Sequence, residues 1–249
     1  MKAKNLRTGA SRRAPGGGRL KLRSLLLPLA LAVVCGLGGC TQRYPAFRYR
    51  LTMTFDVDGV LRTGSSVVQI TPGVSYGLEG QGGAYITRGE AAAVDLGDGR
   101  YVFGLLSGAQ FDPDRLRGPH PVWWANAALG PIQRLYSISG GSDSLGALHS
   151  LTGIKDVPHD TLPALVTFKD NNDPSTIELL NPDDLADVLG PNVKLVRATL
   201  EMGVNKPVTE GLTQILPWLS LDRNYIDGND SCVPPNCWQK NQFIAGVKR

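Results

Sequence analysis

Histidine and cysteine, the residues that most often build catalytic and metal sites, are scarce in this sequence of 249 residues. The chain has only three histidines, His120, His149 and His159. None of them stands two or four positions from another, so the spacing typical of a strand or helix metal site does not occur. We therefore predict no metal site and no cofactor.

Signatures of common catalytic and phosphate-binding sites are also missing. The glycine-rich stretch 71–83 lacks the Gly-Lys-Ser/Thr ending of a phosphate-binding loop. The serine- and glycine-rich stretch 137–153 contains no Gly-x-Ser-x-Gly, the motif of a nucleophile elbow. A serine–histidine–aspartate set can still be assembled, as in most chains of this length, from Ser142, Ser144, His149, His159 and Asp160. An envelope hydrolase is therefore the alternative function, behind a non-enzymatic binding or structural role.

Positive charge is concentrated at the start of the chain. The formal net charge is +4, but eight of the 26 basic residues precede residue 25, where no acid occurs. All 22 acids come later, so the rest of the chain is acidic overall. It has no basic stripe interleaved with aromatic residues, which argues against nucleic-acid binding.

The first 40 residues have the three parts of a lipoprotein signal peptide. A basic segment precedes an apolar run at residues 25–37, which is shorter than the roughly 20 residues that span a bilayer. The motif Leu37-Gly38-Gly39-Cys40 then resembles the lipobox of bacterial lipoproteins. The resemblance implies that a diacylglycerol is attached to the Cys40 sulfur and that residues 1–39 are removed. An uncleaved anchor with an incidental cysteine is the alternative.

The leader also predicts an export route and a location. Arg12-Arg13 is not followed by the apolar residues of a twin-arginine signal, which favours the general secretory route. Thr41, and not an aspartate, follows Cys40. In lipoproteins this favours the outer membrane if the cell is Gram-negative. We expect a lipid-anchored protein of the cell envelope that faces the periplasm, with the membrane and an envelope protein as candidate partners.

The C-terminal tail, residues 222–249, has two features of its own. With Cys35 in the leader and Cys40 lipidated, Cys232 and Cys237 are left, and an even pair in an exported protein predicts a disulfide. So small a loop would pin the tail locally. The tail also contains an oxygen-rich cluster, either a weak calcium site or a solvated turn. Its members are Asp222, Asn224, Asp227 and Asp230.

The N-terminal half after Cys40 reads as antiparallel β-hairpins. Apolar and polar residues alternate over 48–57, which predicts a strand with one buried face. Asp58-Gly59 is a strong hairpin signal, and residues 60–70 return as the partner strand. Gly64 within that strand predicts a bulge or a close approach of another backbone. A second hairpin follows around Gly97-Asp98-Gly99.

The C-terminal half predicts a β-β-α-β-α block. Asn181 and Pro182 favour the start of a helix that ends at Gly190-Pro191, and Thr209 is a candidate cap for a last helix. The strand between them should bury Val196. Its predicted elements are strands at 164–168, 177–179 and 193–202 and helices at 182–189 and 209–219. The predicted fold is therefore α+β, with a tether at 40–46 and one domain at 47–221.

Several short motifs resemble an uncharacterised family of mostly proteobacterial proteins. The resemblance extends over roughly two-thirds of the chain after Cys40, and the motifs are spread along that part. They are found at residues 63–67, 89–91, 162–168, 173–176, 182–186, 190–191, 197–201, 207–211 and 216–219. The family has no known activity, so the resemblance implies one continuous domain and no catalytic residue.

Overall fold

A computed structural model describes residues 40–77, 80–108, 122–123, 132, 142–221 and 243–245. Residues from Thr41 onward belong to one compact unit, Thr41–Arg249. Within the described residues, no helix combines the length and the apolar character that crossing a bilayer requires.

Strands dominate the described part of the chain. They are β1 (Cys40–Arg43), β2 (Phe47–Val57), β3 (Val60–Gly77), β4 (Gly80–Glu90), β5 (Ala92–Gly97), β6 (Arg100–Gly108), β7 (Val122–Trp123), β8 (Gly153–Asp156), β9 (Pro163–Phe168), β10 (Ile177–Leu180), β11 (Val193–Met202) and β12 (Ile244–Ala245). The α-helices are α1 (Ser142–Ala147) and α2 (Ala186–Leu189). Short 3-10 segments lie at Leu148–Ser150, His159–Thr161, Pro174–Thr176, Leu212–Gln214 and Pro217–Ser220. The fold is thus mainly antiparallel β with few short helices, and the expected α+β class holds only loosely.

The strands form two sheets. In the first, the order is β12-β4-β3-β2-β11-β8, and β1 also pairs with β3. In the second, the order is β10-β9-β6-β5, and β7 pairs with β6. The β2–β3 hairpin has the predicted turn, since Asp58 and Gly59 have φ of 53° and 82°. Three pairings join distant parts of the chain: β2 with β11, β6 with β9 and β4 with β12.

The main core lies between the two sheets. Residues of β2 alternate between buried and half-exposed, as the sequence pattern predicts. The buried side chains of β2 are Phe47, Tyr49, Leu51, Met53, Phe55 and Val57. They belong to one hydrophobic cluster with Val94, Val102 and Leu165 of the second sheet. The inner side of β2 is therefore apolar along its whole length.

The central strand β9 of the second sheet is buried on both faces. All six residues of β9 are buried. On the side away from the first sheet, Phe168 packs with Trp218 and Phe243 at ring-centroid distances of 5.7 and 6.0 Å. The 3-10 segments near Leu212 and Trp218 thus cover this sheet. The first sheet, in contrast, keeps a polar and half-exposed outer side.

Three details differ from the sequence expectations. The helix expected from Pro182 begins only at Ala186, because Asn181 forms a bridge with Asp184 and accepts a hydrogen bond from the Asp183 N–H. The helix expected at 209–219 is two 3-10 segments separated by Ile215 and Leu216. Its expected cap, Thr209, bonds instead to the main chain of β3.

Val196 was expected in the core and is 55% exposed. The pairing of β11 with β2 shifts register between Leu195 and Arg197. This β-bulge turns Val196 outward, because one extra residue reverses the alternation locally. A bulge of this kind leaves no signal in the apolar pattern.

The start of the expected tether at 40–46 is a strand. Residues Cys40–Arg43 form β1, and the Tyr44 N–H donates a 2.8 Å hydrogen bond to the Pro72 carbonyl. The chain after Cys40 is therefore held against β3 from its first residues.

Candidate functional site

We call the side of the first sheet that faces away from the core the outer face. Residues directly opposite each other on antiparallel strands lie on the same side of a sheet, so the strand register defines its rows. From one end to the other, these rows are Arg88–Gln69–Arg48, Val67–Arg50–Glu201–Ile154, Ser65–Thr52–Thr199–Asp156, Thr63–Thr54–Arg197 and Leu61–Asp56–Lys194. The outer face is thus formed by five strands, β4, β3, β2, β11 and β8.

Charge is distributed unevenly along this face. On β2, Arg48 and Arg50 stand near the beginning of the strand and Asp56 near its end, all on the same side. The eight-residue separation of Arg48 and Asp56 corresponds to about 26 Å. We call the two regions the basic end and the turn end.

Arg48 is fixed at the basic end by two hydrogen bonds. Its Nε donates to Gln69 Oε1 at 3.0 Å, and its Nη1 donates to the Lys206 carbonyl at 2.8 Å. In the neighbouring row, Arg50 forms an ion pair with Glu201. Arg88 continues the first row beyond Gln69 and is exposed. The charge of Arg50 is thus balanced within the face.

The middle of the outer face is rich in hydroxyl groups. The hydroxyls of Thr54 and Thr63 lie 3.0 Å apart on adjacent strands. Thr52 and Ser65 are direct partners in the next row. On β2 and β3 the side chains of this region are uncharged, and on its β11–β8 side Arg197 forms a 2.6 Å ion pair with Asp156. The region separates the basic end from the turn end.

The turn end contains an open polar pocket of about 330 Å³. Asn192 Nδ2 donates to Asp58 Oδ1 at 2.7 Å, and the Asp58 N–H donates to the Asn192 carbonyl at 3.2 Å. The pocket is lined by Asp56, Asp58, Gly59, Pro191, Asn192 and Lys194. In the described part of the chain, no three or more histidine, cysteine or acidic side chains are placed to hold a metal ion.

Two of the candidate hydrolase residues, His149 and His159, have described side-chain partners. His149 Nδ1 donates to the Gly146 carbonyl at 2.5 Å. His159 Nδ1 lies 2.7 Å from Asp183 Oδ1, an acid that was not in the set assembled from the sequence. The side chains of His159 and Asp183 are 48% and 74% exposed. A pair so exposed is an ordinary solvated contact, because the acid of a catalytic triad acts on its histidine from a buried position.

Sequence analysis did not identify Glu90, the buried carboxylate at the end of β4. Its side chain accepts a hydrogen bond from the Leu212 N–H at 2.8 Å, and Ser66 Oγ donates to its carbonyl at 2.6 Å. Burial raises the pKa of Glu90 above its ordinary value, although hydrogen bonds from the Leu212 and Gly211 amides oppose this shift. Glu90 joins the first sheet to the 3-10 segment at Leu212, so its role is structural. Residues 89–91 belong to the motifs of the family resemblance, but that family implies no role for Glu90, and its main-chain partners around Leu212 are distant in sequence.

Several predicted site residues lie outside the described parts of the structure. These are Cys232, Cys237, Asp222, Asn224, Asp227, Asp230 and His120. For Cys40, Ser142 and Ser144 the backbone is described but the side chains are not. The lipidation and the disulfide therefore stay predictions, and the tail cluster stays either a weak calcium site or a solvated turn.

Comparisons of the chain with protein-family models, with curated proteins and with solved structures found no match. The resemblance to an uncharacterised proteobacterial family accordingly stays a prediction.

Proposed function

We propose that this protein is a lipid-anchored lipoprotein of the cell envelope whose folded part acts by binding. The observation behind the proposal is the order of its N-terminal segments: a basic leader, a short apolar run and Leu37-Gly38-Gly39-Cys40. A membrane protease needs small residues before the cleaved bond, and lipid attachment needs a thiol at the aqueous end of the apolar run. Both requirements are met at residues 38–40.

The position of the compact unit supports the same proposal. The unit begins at Thr41, one residue after the cysteine that would become the new N-terminus. Cleavage before Cys40 would therefore remove residues 1–39 without taking any residue from this unit. The remaining chain would be acidic overall, since the leader contributes eight cations and no acid.

We favour binding over hydrolysis because the outer face is broad, polar and charged, while His159 pairs with Asp183 in the open. Such a sheet face suits contact with a membrane or an envelope protein, since antiparallel sheets commonly leave one side in water. The outer membrane is the favoured location in a Gram-negative cell, because Thr41 follows Cys40.

A Cys40→Ser variant tests this proposal. We expect it to lose lipid attachment and to stay in its longer precursor form, since the residue that receives the diacylglycerol is gone. Gel mobility and incorporation of a labelled fatty acid would report these changes in the variant. In the unaltered protein, an inhibitor of lipoprotein signal peptidase should cause the longer precursor to accumulate.

Cys35→Ser is the matched control, because Cys35 lies in the same leader and would be removed with it. It should be processed and labelled like the unaltered protein. If Cys40→Ser keeps the mobility and labelling of the unaltered protein, the lipoprotein proposal is wrong.

A further inference from the structure

The geometry points to a particular orientation: we propose that the basic end of the outer face rests on anionic lipid headgroups of the membrane that holds the anchor. This inference rests on the proposed lipidation of Cys40. It adds a surface and a ligand class, because an anchor alone leaves the orientation of the folded part unspecified.

Strand β1 continues the edge of β3 that β2 occupies. The register of β2 with β3 runs from Val57–Val60 to Phe47–Ile70, so that edge of β3 is filled up to Ile70. The Tyr44 N–H bonds to the Pro72 carbonyl, and β1 pairs with β3 as well. Since β4 pairs with residues 69–77 of β3 from the other side, β1 lies beside β3 beyond Ile70. The N-terminus of the compact unit is therefore at the basic end of the sheet.

The proposed lipid on Cys40 would be close to the paired strands. Thr41 already belongs to a paired strand, and adjacent Cα atoms are about 3.8 Å apart. A lipid on Cys40 would thus bring the neighbouring strands close to the headgroups. A flexible tether, which would allow any orientation, is not available at this point.

The basic end collects positive charge from several segments of the chain. Three segments bring cations to the basic end: Arg43 in β1, Arg48 in β2 and Arg88 in β4. Lys206 joins them, because its carbonyl accepts the hydrogen bond from Arg48. In the segment 203–211 that contains Lys206, Glu210 is the acidic residue.

Among the described residues in the outer-face rows, Glu201 is the acid at this end. Glu201 is already paired with Arg50, whereas Asp56 and Asp58 lie at the far turn end. Basic side chains close to an anionic bilayer are attracted to it, and the attraction falls off within a Debye length of about 8 Å. The basic end is the part of the outer face that both carries cations and lies near the proposed anchor.

An exposed apolar side chain is placed next to these cations. Ile86 of β4 is 44% exposed and pairs with Thr71, on the same side of the sheet as Arg88. Apolar side chains beside Lys and Arg are the composition that binds the boundary between headgroups and acyl chains. Guanidinium groups also bind phosphate oxygens through paired hydrogen bonds.

A fluorescence experiment on the purified, acylated protein tests this orientation. A fluorophore is placed on Ile86→Cys at the basic end and, in a second sample, on Val188→Cys in α2. Val188 is also exposed, but α2 leads into Pro191 and Asn192 of the turn-end pocket. Both samples are reconstituted into phosphatidylcholine vesicles with or without about 30% phosphatidylglycerol, and spin-labelled headgroups serve as the quencher. Protein without an added cysteine gives the labelling background.

We expect severalfold stronger quenching at Ile86→Cys than at Val188→Cys in the anionic vesicles. The difference should shrink in neutral vesicles and at high salt, because screening weakens interactions between exposed charges. The triple variant Arg43→Glu, Arg88→Glu and Lys206→Glu should lose it in anionic vesicles. Arg48 is left unaltered there because its hydrogen bonds hold two segments together.

Equal quenching at the two positions, or the same difference in neutral and anionic vesicles, would overturn the inference while leaving the lipoprotein proposal intact. A protein that floats with neither kind of vesicle would instead refute the lipid anchor, and with it the inference. The neutral-vesicle comparison needs no charge variant, so the inference stays testable even if the triple variant misfolds.

Discussion

Replacing Gly64 by alanine should lower the free energy of unfolding by about 2–4 kcal/mol. A Cβ atom on Gly64 would lie 1.9 Å from the Ala93 carbonyl oxygen and 2.9 Å from the Val94 Cα. Both atoms belong to the main chain of β5, so no side-chain rotation can relieve the overlap. The first sheet would have to separate from β5, and packing around the buried Val94 would suffer.

Gly146→Ala is the matched control for this effect. Its added Cβ would lie 3.6 Å from Tyr44 Cδ1, an ordinary contact, and Gly146 is within α1. Alanine in a helix is favoured over glycine by up to about 1 kcal/mol, so this variant should be neutral or slightly stabilised. Urea denaturation followed by circular dichroism measures both. If Gly64→Ala unfolds at the same urea concentration as the unaltered protein, that result would contradict the close approach of the β3 and β5 main chains at Gly64.

Glu90 should make the protein less stable as the pH rises above the ordinary carboxyl pKa of about 4.3. Burial raises the pKa of Glu90 in the folded state, and its side chain is in a residue only 3% exposed. Between the unfolded and the folded pKa, the folded protein binds more protons than the unfolded chain. The stability from this group is therefore complete at low pH and is lost as the pH rises through the folded pKa.

Glu90→Gln isolates this contribution. Glutamine is neutral and keeps an oxygen that can accept the Leu212 N–H. We expect the stability difference, variant minus unaltered protein, to increase from pH 4 to pH 7. Its slope can reach at most about 1.4 kcal/mol per pH unit for one group. Urea titrations at several pH values measure this difference.

Other carboxylates provide the contrast. The pKa of Asp173 is lowered by hydrogen bonds from the Ser175 hydroxyl and N–H, so its contribution to stability is lost as the pH falls. That dependence is common to both proteins and cancels in the difference. A difference that stays flat across this pH range would contradict the buried, proton-favouring environment of Glu90.

The hairpins were predictable because their signals are local. Alternation over β2, the Asp58-Gly59 turn and the role of Gly64 all follow from residues that are neighbours in the chain. The strands of the C-terminal half were found for the same reason. The last helix was overpredicted, since Thr209 is engaged by the Val67 N–H and carbonyl and Leu212 by the distant Glu90.

The polarity of the outer face could not be predicted from composition. After the leader, the chain is acidic overall, and its basic residues form no stripe in the linear sequence. The basic end forms only when Arg43, Arg48, Arg88 and Lys206 come together from separate segments. The pairing of β2 with β11 depends in the same way on long-range register, which no local pattern encodes.

Mass spectrometry of the N-terminal peptide, prepared from the membrane fraction of cells that make this protein, tests the lipid anchor most directly. We predict a peptide that begins at Cys40 and is heavier than its sequence by a diacylglycerol, with or without a further acyl chain. The chain should contain none of residues 1–39. A peptide that begins earlier, or an unmodified Cys40, would contradict the lipid anchor and the membrane orientation derived from it.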